Sequence, residues 1–412
     1  MSLNVLNELI LDHLFGKDQI SKVYISNSIK KHSHNLKENG DLSFPLDYEI
    51  WKNKILDKSL REDKLEENCV TLVEKSQQWQ IPIERIDFKN SRCLLYLNKL
   101  KTIQFVFKEV LENNSFGKQE LKHNFQVIFP ISNNTDLTNW RRNLVATTLN
   151  NVLEFCRSNE TCSSPNANTV CYLDFSDKKT NYEDRSVAMS CGLVVDASTK
   201  KKTNLCFHDY FCSRRRDMQL IAMHKYGIRM QGDTCFAEFL DKLGSATVTI
   251  DLLEVKHTSP IQVSNEKMSN SKGASFILYN CARLETLLEK FNDRVAKNFY
   301  SELPALSETD LTPLLEEEEW LMVYDFILYF PDMIYRVLEN LENGRCALHL
   351  IPQFLSKLVS LFSVYYRRVK ILVDNRHNLI TNLFARIYLL RCVQKIFKIS
   401  LKFLNIEPIH KM

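Results

Sequence analysis

Four cations near the end of this chain share one helical face. At about 100° per residue, Arg391, Lys395, Lys398 and Lys402 fall within about 40° of a single line. The opposite arc is taken by Leu389, Leu390, Val393, Ile396, Phe397, Leu401, Phe403 and Leu404. A helix apolar on one side and basic on the other suits a polyanion, whose phosphates relieve the repulsion between like charges one turn apart. Arg367, Arg368, Lys370 and Arg376 stand just upstream and would widen the basic surface. Tyr365 and Tyr366 are candidates to stack against unpaired bases. From Arg345 to Met412, twelve Lys/Arg stand against two acids. The whole chain carries only +4, so the upstream part is net acidic by six charges. Such segregation marks a folded surface for nucleic acid. The plain alternative is a solvated helical face that happens to be basic.

Other candidate residues carry weaker signals. Arg386 falls inside the apolar arc, so it calls for a carboxylate or carbonyl partner within the bundle. Arg283, early in another apolar helix, poses the same question. Arg214, Arg215 and Arg216 point in different directions around a helix, which leaves one or two for nucleic acid and the rest for solvent or structure. Cys191, Cys206, His208 and Cys212 lack the paired spacing of a zinc site, and the cysteines read as buried free thiols. His32 and His34, two apart, do not share a helix face. Neither G-x-G-x-x-G nor G-x-x-x-x-G-K-[ST] occurs, so neither common phosphate-cradling loop is present. No catalytic residue, metal or cofactor is expected.

The elements that must hold these residues divide the 412-residue chain into four stretches. Residues 1–95 read as mainly helical, with turns at Phe15 to Asp18 and Glu38 to Asp41, and a basic helix end or loop at Lys30 to His34. Residues 96–256 read as an α/β region. Its candidate strands are Thr102–Phe107, Phe125–Pro130, Thr169–Phe175, Gly192–Asp196 and Ala246–Leu252, and a helical stretch runs through Arg214 to His224. Polar residues 257–273 read as a linker. Residues 274–412 show only helical periodicity, over Ala274–Phe291, Trp320–Leu341, Ile351–Ile371 and Leu379–Asn405. The acidic run Glu316 to Glu319 sits where a helix N-terminus favours negative charge. Met1 to Leu14 predicts an amphipathic helix rather than a secretory signal, and no apolar run is long enough to span a membrane. Twelve cysteines without paired spacing suggest a reducing compartment, the cytoplasm or nucleus.

Three ordered blocks resemble a known family. Ser275 to Leu288 (Ser-Phe-Ile-Leu-Tyr-Asn-Cys-Ala-Arg-Leu-Glu-Thr-Leu-Leu) is similar to the opening helix of the DALR anticodon-binding domain of class I arginyl-tRNA synthetases. Pro352 to Tyr366 resembles its middle helix, and Arg386 to Val393, continuing to Met412, its last. The resemblance implies that the basic and aromatic surface of these helices holds an anticodon stem-loop. It also implies an α+β, multi-domain fold, with a degenerate synthetase-like α/β region before an all-helical DALR bundle. The ATP-binding half departs from the family. No His-x-Gly-His motif is present. Lys267 to Ser271 (Lys-Met-Ser-Asn-Ser) looks like the second signature, but it stands directly before the bundle and has Asn in place of a phosphate-neutralising lysine.

Phe211 to Met218, running on to Gly227, and Tyr279 to Leu284 resemble a family of non-synthetase DALR-domain proteins. That resemblance implies a non-enzymatic adaptor, cytoplasmic, which binds arginine tRNAs and brings a methyltransferase that forms 3-methylcytosine at position 32. Its partners would be the tRNA and the methyltransferase, with no membrane and no small-molecule substrate of its own. Two other functions compete: a protein-interaction scaffold that has lost tRNA binding, and a divergent arginyl-tRNA synthetase.

Overall fold

The computed structural model describes residues 1–17, 19, 28–52, 54–55, 62–130, 136–157, 170–176, 186–226, 234–264 and 272–408. In chain order the elements are α1 (Leu3–Phe15), β1 (Lys30–Lys31), α2 (Leu36–Asn39), β2 (Leu42–Pro45), α3 (Tyr48–Lys52), α4 (Glu62–Ser76), β3 (Ile83–Lys89), β4 (Arg92–Leu97) and α5 (Lys99–Glu112). There follow β5 (Asn124–Ile128), α6 (Leu137–Cys156), β6 (Val170–Asp174), β7 (Ser186–Ala188), β8 (Val194–Asp196), α7 (Phe207–Tyr226), α8 (Thr234–Leu253) and β9 (Ile261–Val263). The last are α9 (Lys272–Ala296), α10 (Glu317–Leu321), a π-helical turn (Met322–Ile327), α11 (Phe330–Leu338), α12 (Leu350–Arg368) and α13 (His377–Phe403).

These elements form two compact units, neither continuous in sequence. One takes residues Met1–Asn114, Leu303–Asp332 and Val373–Cys392; the other takes Ser115–Glu302, Met333–Leu372 and Val393–Met412. The boundaries expected at 95/96 and 256/257 therefore do not coincide with the units.

The first unit holds an antiparallel sheet in the order β1-β2-β4-β3. These strands lie in the stretch expected to be mainly helical. Their signal is Asn90–Ser91, a two-residue connection with both φ positive, at 51° and 55°. Such a turn matches the twist of a hairpin, and Asn tolerates it well. Lys30 and Lys31, expected at a helix end or loop, form the edge strand against Leu42–Ser43. Thr102–Phe107 is not a strand but lies within α5. Asn98 caps that helix by accepting from the Lys101 N–H, and Thr102, Ile103, Val106, Phe107 and Val110 are buried at helical spacing. Asp41 is buried and accepts from the Leu97 N–H and the Trp320 indole, both at 2.8 Å, while desolvation holds its carboxyl above the usual range. The Tyr324 hydroxyl donates to the Asp41 carbonyl. Trp320 and Tyr324 reach the same residue from α10 and the π-turn. Downstream, Asp332 accepts from the Asn4 N–H of α1 at 3.2 Å.

The second unit has parallel strands in the order β5-β6-β7 and a separate parallel pair, β8-β9. Ala246–Leu252, expected as a strand, lies inside α8. Its Val248 and Leu252 pack on the core of Leu137, Val194, Tyr210, Ile261 and Val263. The expected linker is structured as well: His257 is buried and Ile261–Val263 is β9, while Lys267 to Ser271 lie outside the described residues. Arg141 fixes this region. Its buried guanidinium donates to the carbonyls of Leu252, Gly192, Ser259 and Lys256 at 2.7 to 3.2 Å. Gly192 has to be glycine because a Cβ would lie 2.3 Å from the Ser259 carbonyl oxygen.

Candidate nucleic-acid interface

Helices α9 and α12 and the last part of α13 pack together in the second unit. Phe362 of α12 meets Phe397 of α13 edge-on, with centroids 6.4 Å apart. Leu389, Leu390, Val393, Ile396, Phe397, Leu401, Phe403 and Leu404 are all buried, so the apolar arc read from the sequence is the packed face of α13. Lys398 and Lys402 point out to solvent, and Arg391 and Lys395 are half-buried. The outward line is not uniformly basic. Glu285 of α9 reaches Lys398 at 3.1 Å and also accepts from the Gln394 amide. The Lys398 side chain is half exposed while that of Glu285 is only 14% exposed, so an acid from the neighbouring helix offsets part of the stripe.

The two tyrosines separate cleanly. Tyr365 is fully buried and belongs to the core, so it does not present a ring to a base. Tyr366 is half-buried, and the Arg283 guanidinium lies 4.6 Å from its centroid and 4.4 Å from that of Tyr279. Arg283 is thus held between two rings from α9 and α12, a cation–π arrangement that leaves a planar platform. Arg367, Arg368 and Lys370 are exposed around the C-terminal end of α12, and Arg367 also donates to the Ser363 carbonyl. Exposed Arg376 precedes α13 in the first unit.

The remaining arginines are mostly structural. Within the first unit, Arg386 finds Glu319, at 2.9 Å from its Nε, and Glu319 is fully buried. The other oxygen of Glu319 accepts from the Glu316 N–H in a capping box, so the acidic run both caps α10 and neutralises Arg386. In α7, Arg214 is 1% exposed, donates to the Ser264 carbonyl at 3.0 Å and pairs with Asp217, which removes it from any surface. Arg215 pairs with Asp241, and only Arg216 of the three is exposed. His208 and Cys212, one turn apart, approach to 3.5 Å. Among the described residues, no three His, Cys, Asp or Glu side chains come together in a way that could hold a metal ion.

Sequence reasoning missed Glu285 and Asn151. Asn151 of α6 donates to the carbonyls of Lys402 and Phe403 and so holds the end of the basic helix. Nothing local marked Glu285, whose partners Gln394 and Lys398 lie on α13.

A family model for the DALR anticodon binding domain matches residues 277–412, the stretch that contributes these three helices. Over this stretch the chain is similar to DALR anticodon binding domains. Over 214 residues the chain is 32% identical to DALR anticodon-binding domain-containing protein 3 of Danio rerio, covering 49% of this chain and 38% of that protein. The protein of the same name from Mus musculus is 30% identical over 227 residues, 53% of this chain and 42% of that one. An arginine–tRNA ligase of Malacoplasma penetrans is 28% identical over 199 residues, 46% and 32% of the respective chains. These matches take in less than half the length of the curated relatives. The arginyl-tRNA synthetase of Plasmodium falciparum shares the fold across all of this chain and 98% of that chain, with a TM-score of 0.65 and 12% identity. The chain thus has the mixed helix-and-sheet fold seen in an arginyl-tRNA synthetase, and its C-terminal helices match the DALR model.

Proposed function

We propose that this protein is a non-catalytic tRNA-binding adaptor. Its DALR domain grips arginine tRNA through Lys395, Lys398 and Lys402 on α13 and through Arg367, Arg368 and Lys370 at the end of α12, with Tyr366 and Arg283 as the stacking platform. The observation that carries the reading is the split face of α13, whose apolar arc is buried while Lys398 and Lys402 stand in solvent. Phosphate contacts of this kind release counterions, so binding should weaken steeply with salt. The adaptor brings a methyltransferase that forms 3-methylcytosine at position 32, docked around the outer side of α7, where Cys212, Arg216 and Leu220 are exposed. We place its action in the cytoplasm, without cofactor or small-molecule substrate. The missing His-x-Gly-His signature supports a protein that does not activate arginine.

The test is recovery of the full-length protein from cells, with bound RNA and bound protein both identified, alongside ATP–pyrophosphate exchange with arginine. Arginine tRNA and a methyltransferase should come down together, with no exchange above background. Full-length protein that carries no tRNA would defeat the reading, and exchange activity would restore the synthetase alternative. The pairing of Lys398 with Glu285 is the one observation that favours a scaffold that has lost RNA, because it removes part of the positive field.

A further inference from the structure

Beside the end of the basic helix lies a polar cleft of about 440 Å³, lined by Asn124, Gln126 and Val127 of β5 with Asn150 and Arg157 at the C-terminal part of α6. That volume is within the range of small-ligand sites. We infer that this cleft takes one unpaired nucleotide of the RNA held by the DALR domain, an inference that rests on the RNA-binding reading above.

The lining has a consistent chemistry. Asn124 and Gln126, two apart on a strand, present their amides on one side of β5. Both are exposed, and among the described residues neither side-chain amide makes a hydrogen bond, while the backbone of each pairs with β6. Asn150 and Arg157, seven apart, share one face of the helix and the residue that ends it. Asn150 donates to Glu154 at 2.8 Å, which orients its amide, and Arg157 donates to the Phe125 carbonyl at 2.8 Å, which holds the guanidinium at the rim. Three amides and a guanidinium are the groups that read base edges, ribose hydroxyls and phosphate. Each amide offers a donor and an acceptor together, as the edge of an unpaired base does.

Position points to the same ligand. Asn151, next to Asn150, donates to the carbonyls of Lys402 and Phe403, and the rings of Phe155 and Phe403 meet edge-on with centroids 5.1 Å apart. The last turn of α13 is thus docked on α6 next to the cleft. From Lys395 to Lys402 the helix rises about 10 Å, so a strand following those lysines arrives where the amides begin. A peptide of a protein partner, pairing along β5, is the competing occupant. β5 is the outer strand of its sheet, but Arg157 already occupies the Phe125 carbonyl on it.

The experiment measures affinity of the full-length protein for an arginine tRNA transcript, a twelve-nucleotide single-stranded RNA and a blunt RNA duplex, across about 0.05–0.2 M salt. The variants are Asn124→Ala with Gln126→Ala, Gln126→Glu alone, and Lys402→Glu. The double variant should weaken binding of tRNA and single strand at least about fivefold with an unchanged salt slope, and leave the duplex alone. Lys402→Glu should weaken all three and lower the slope by about one. If the double variant melts below wild type, Gln126→Glu is read in its place. Affinity within twofold of wild type in the cleft variants, while Lys402→Glu binds poorly, overturns the inference and leaves the RNA reading standing. Equal losses on duplex, or loss of a co-purifying protein with RNA affinity intact, also overturn it. If wild type binds none of the RNAs, both readings fall.

Discussion

Glu285 should act as a brake on RNA binding, and Glu285→Gln should release it. The carboxylate holds Lys398 at 3.1 Å, while Gln394 donates to its other oxygen. Glutamine keeps the shape and an acceptor for Gln394 but loses the charge. A phosphate bound at Lys398 would sit about 7 Å from the carboxylate; with an effective dielectric of about 40–80 the repulsion is roughly 0.6–1.2 kcal/mol. Removing it should therefore tighten binding about threefold to eightfold at low salt, shrinking as the Debye length falls toward about 8 Å at physiological ionic strength. The pair itself adds little stability because the Lys398 end is half exposed, so melting should change little. Lys398→Glu is a poor probe by the same logic, since it sets two carboxylates side by side. Fluorescence anisotropy with an arginine tRNA transcript at several salt concentrations reads the effect, with Lys398→Ala as comparator. Weaker or unchanged RNA affinity in Glu285→Gln, with melting intact, would refute the reasoning and remove Lys398 from the interface.

Arg386→Met should destabilise the protein by about 3–5 kcal/mol because it strands a buried carboxylate, and Arg386→Met with Glu319→Gln should lose much less; urea unfolding decides, and equal losses would deny the pairing. His257 accepts from the Cys346 N–H through Nε2 and bonds the Ser190 carbonyl through Nδ1, and burial, then the charge of Arg141, lower its pKa from 6.5. The folded state therefore binds the proton more weakly than the unfolded chain, so this stability is whole above pH 6.5 and is lost as pH falls below it. His257→Gln should flatten the drop in urea midpoint between neutral and mildly acidic buffer. Tyr365→Ala should cost about 3–5 kcal/mol as a large core truncation, whereas Tyr366→Ala should leave melting near wild type and weaken RNA binding. The opposite outcome in melting curves and anisotropy would move the stacking platform elsewhere.

The helices of the DALR domain were legible because their apolar residues recur at a period that only one packed face satisfies, as the burial along α13 bears out. The demand of Arg386 for an internal carboxylate was legible for the same reason: the arc that held it was otherwise apolar. Composition misled where periodicity was not weighed. Thr102–Phe107 and Ala246–Leu252 are rich in β-branched residues, yet the first is buried at helical spacing behind an Asn98 cap. The hairpin of β3 and β4 announced itself only through Asn90–Ser91, a weaker turn signal than Asn-Gly. Glu285 could not have been assigned, because its partners lie more than a hundred residues away on another helix. The same holds for the burial of Tyr365 next to the half-exposed Tyr366, which depends on where α9 crosses α12.

The π-turn at Met322–Ile327 bears on how relatives are aligned. A π-turn is an α-helix that has absorbed one extra residue, and each residue turns an α-helix by about 100°. Deleting a single residue there would close the ladder to ordinary α geometry without shortening any loop. Everything on one side would rotate by that angle, so that Trp320 facing Asp41 and Asp332 facing Asn4 could no longer both be met. A one-position gap between Met322 and Ile327 is thus a change of phase. A homologue that carries it should show compensating substitutions at the positions of Asp41 or Asp332, a covariation that a scan for conserved residues would pass over.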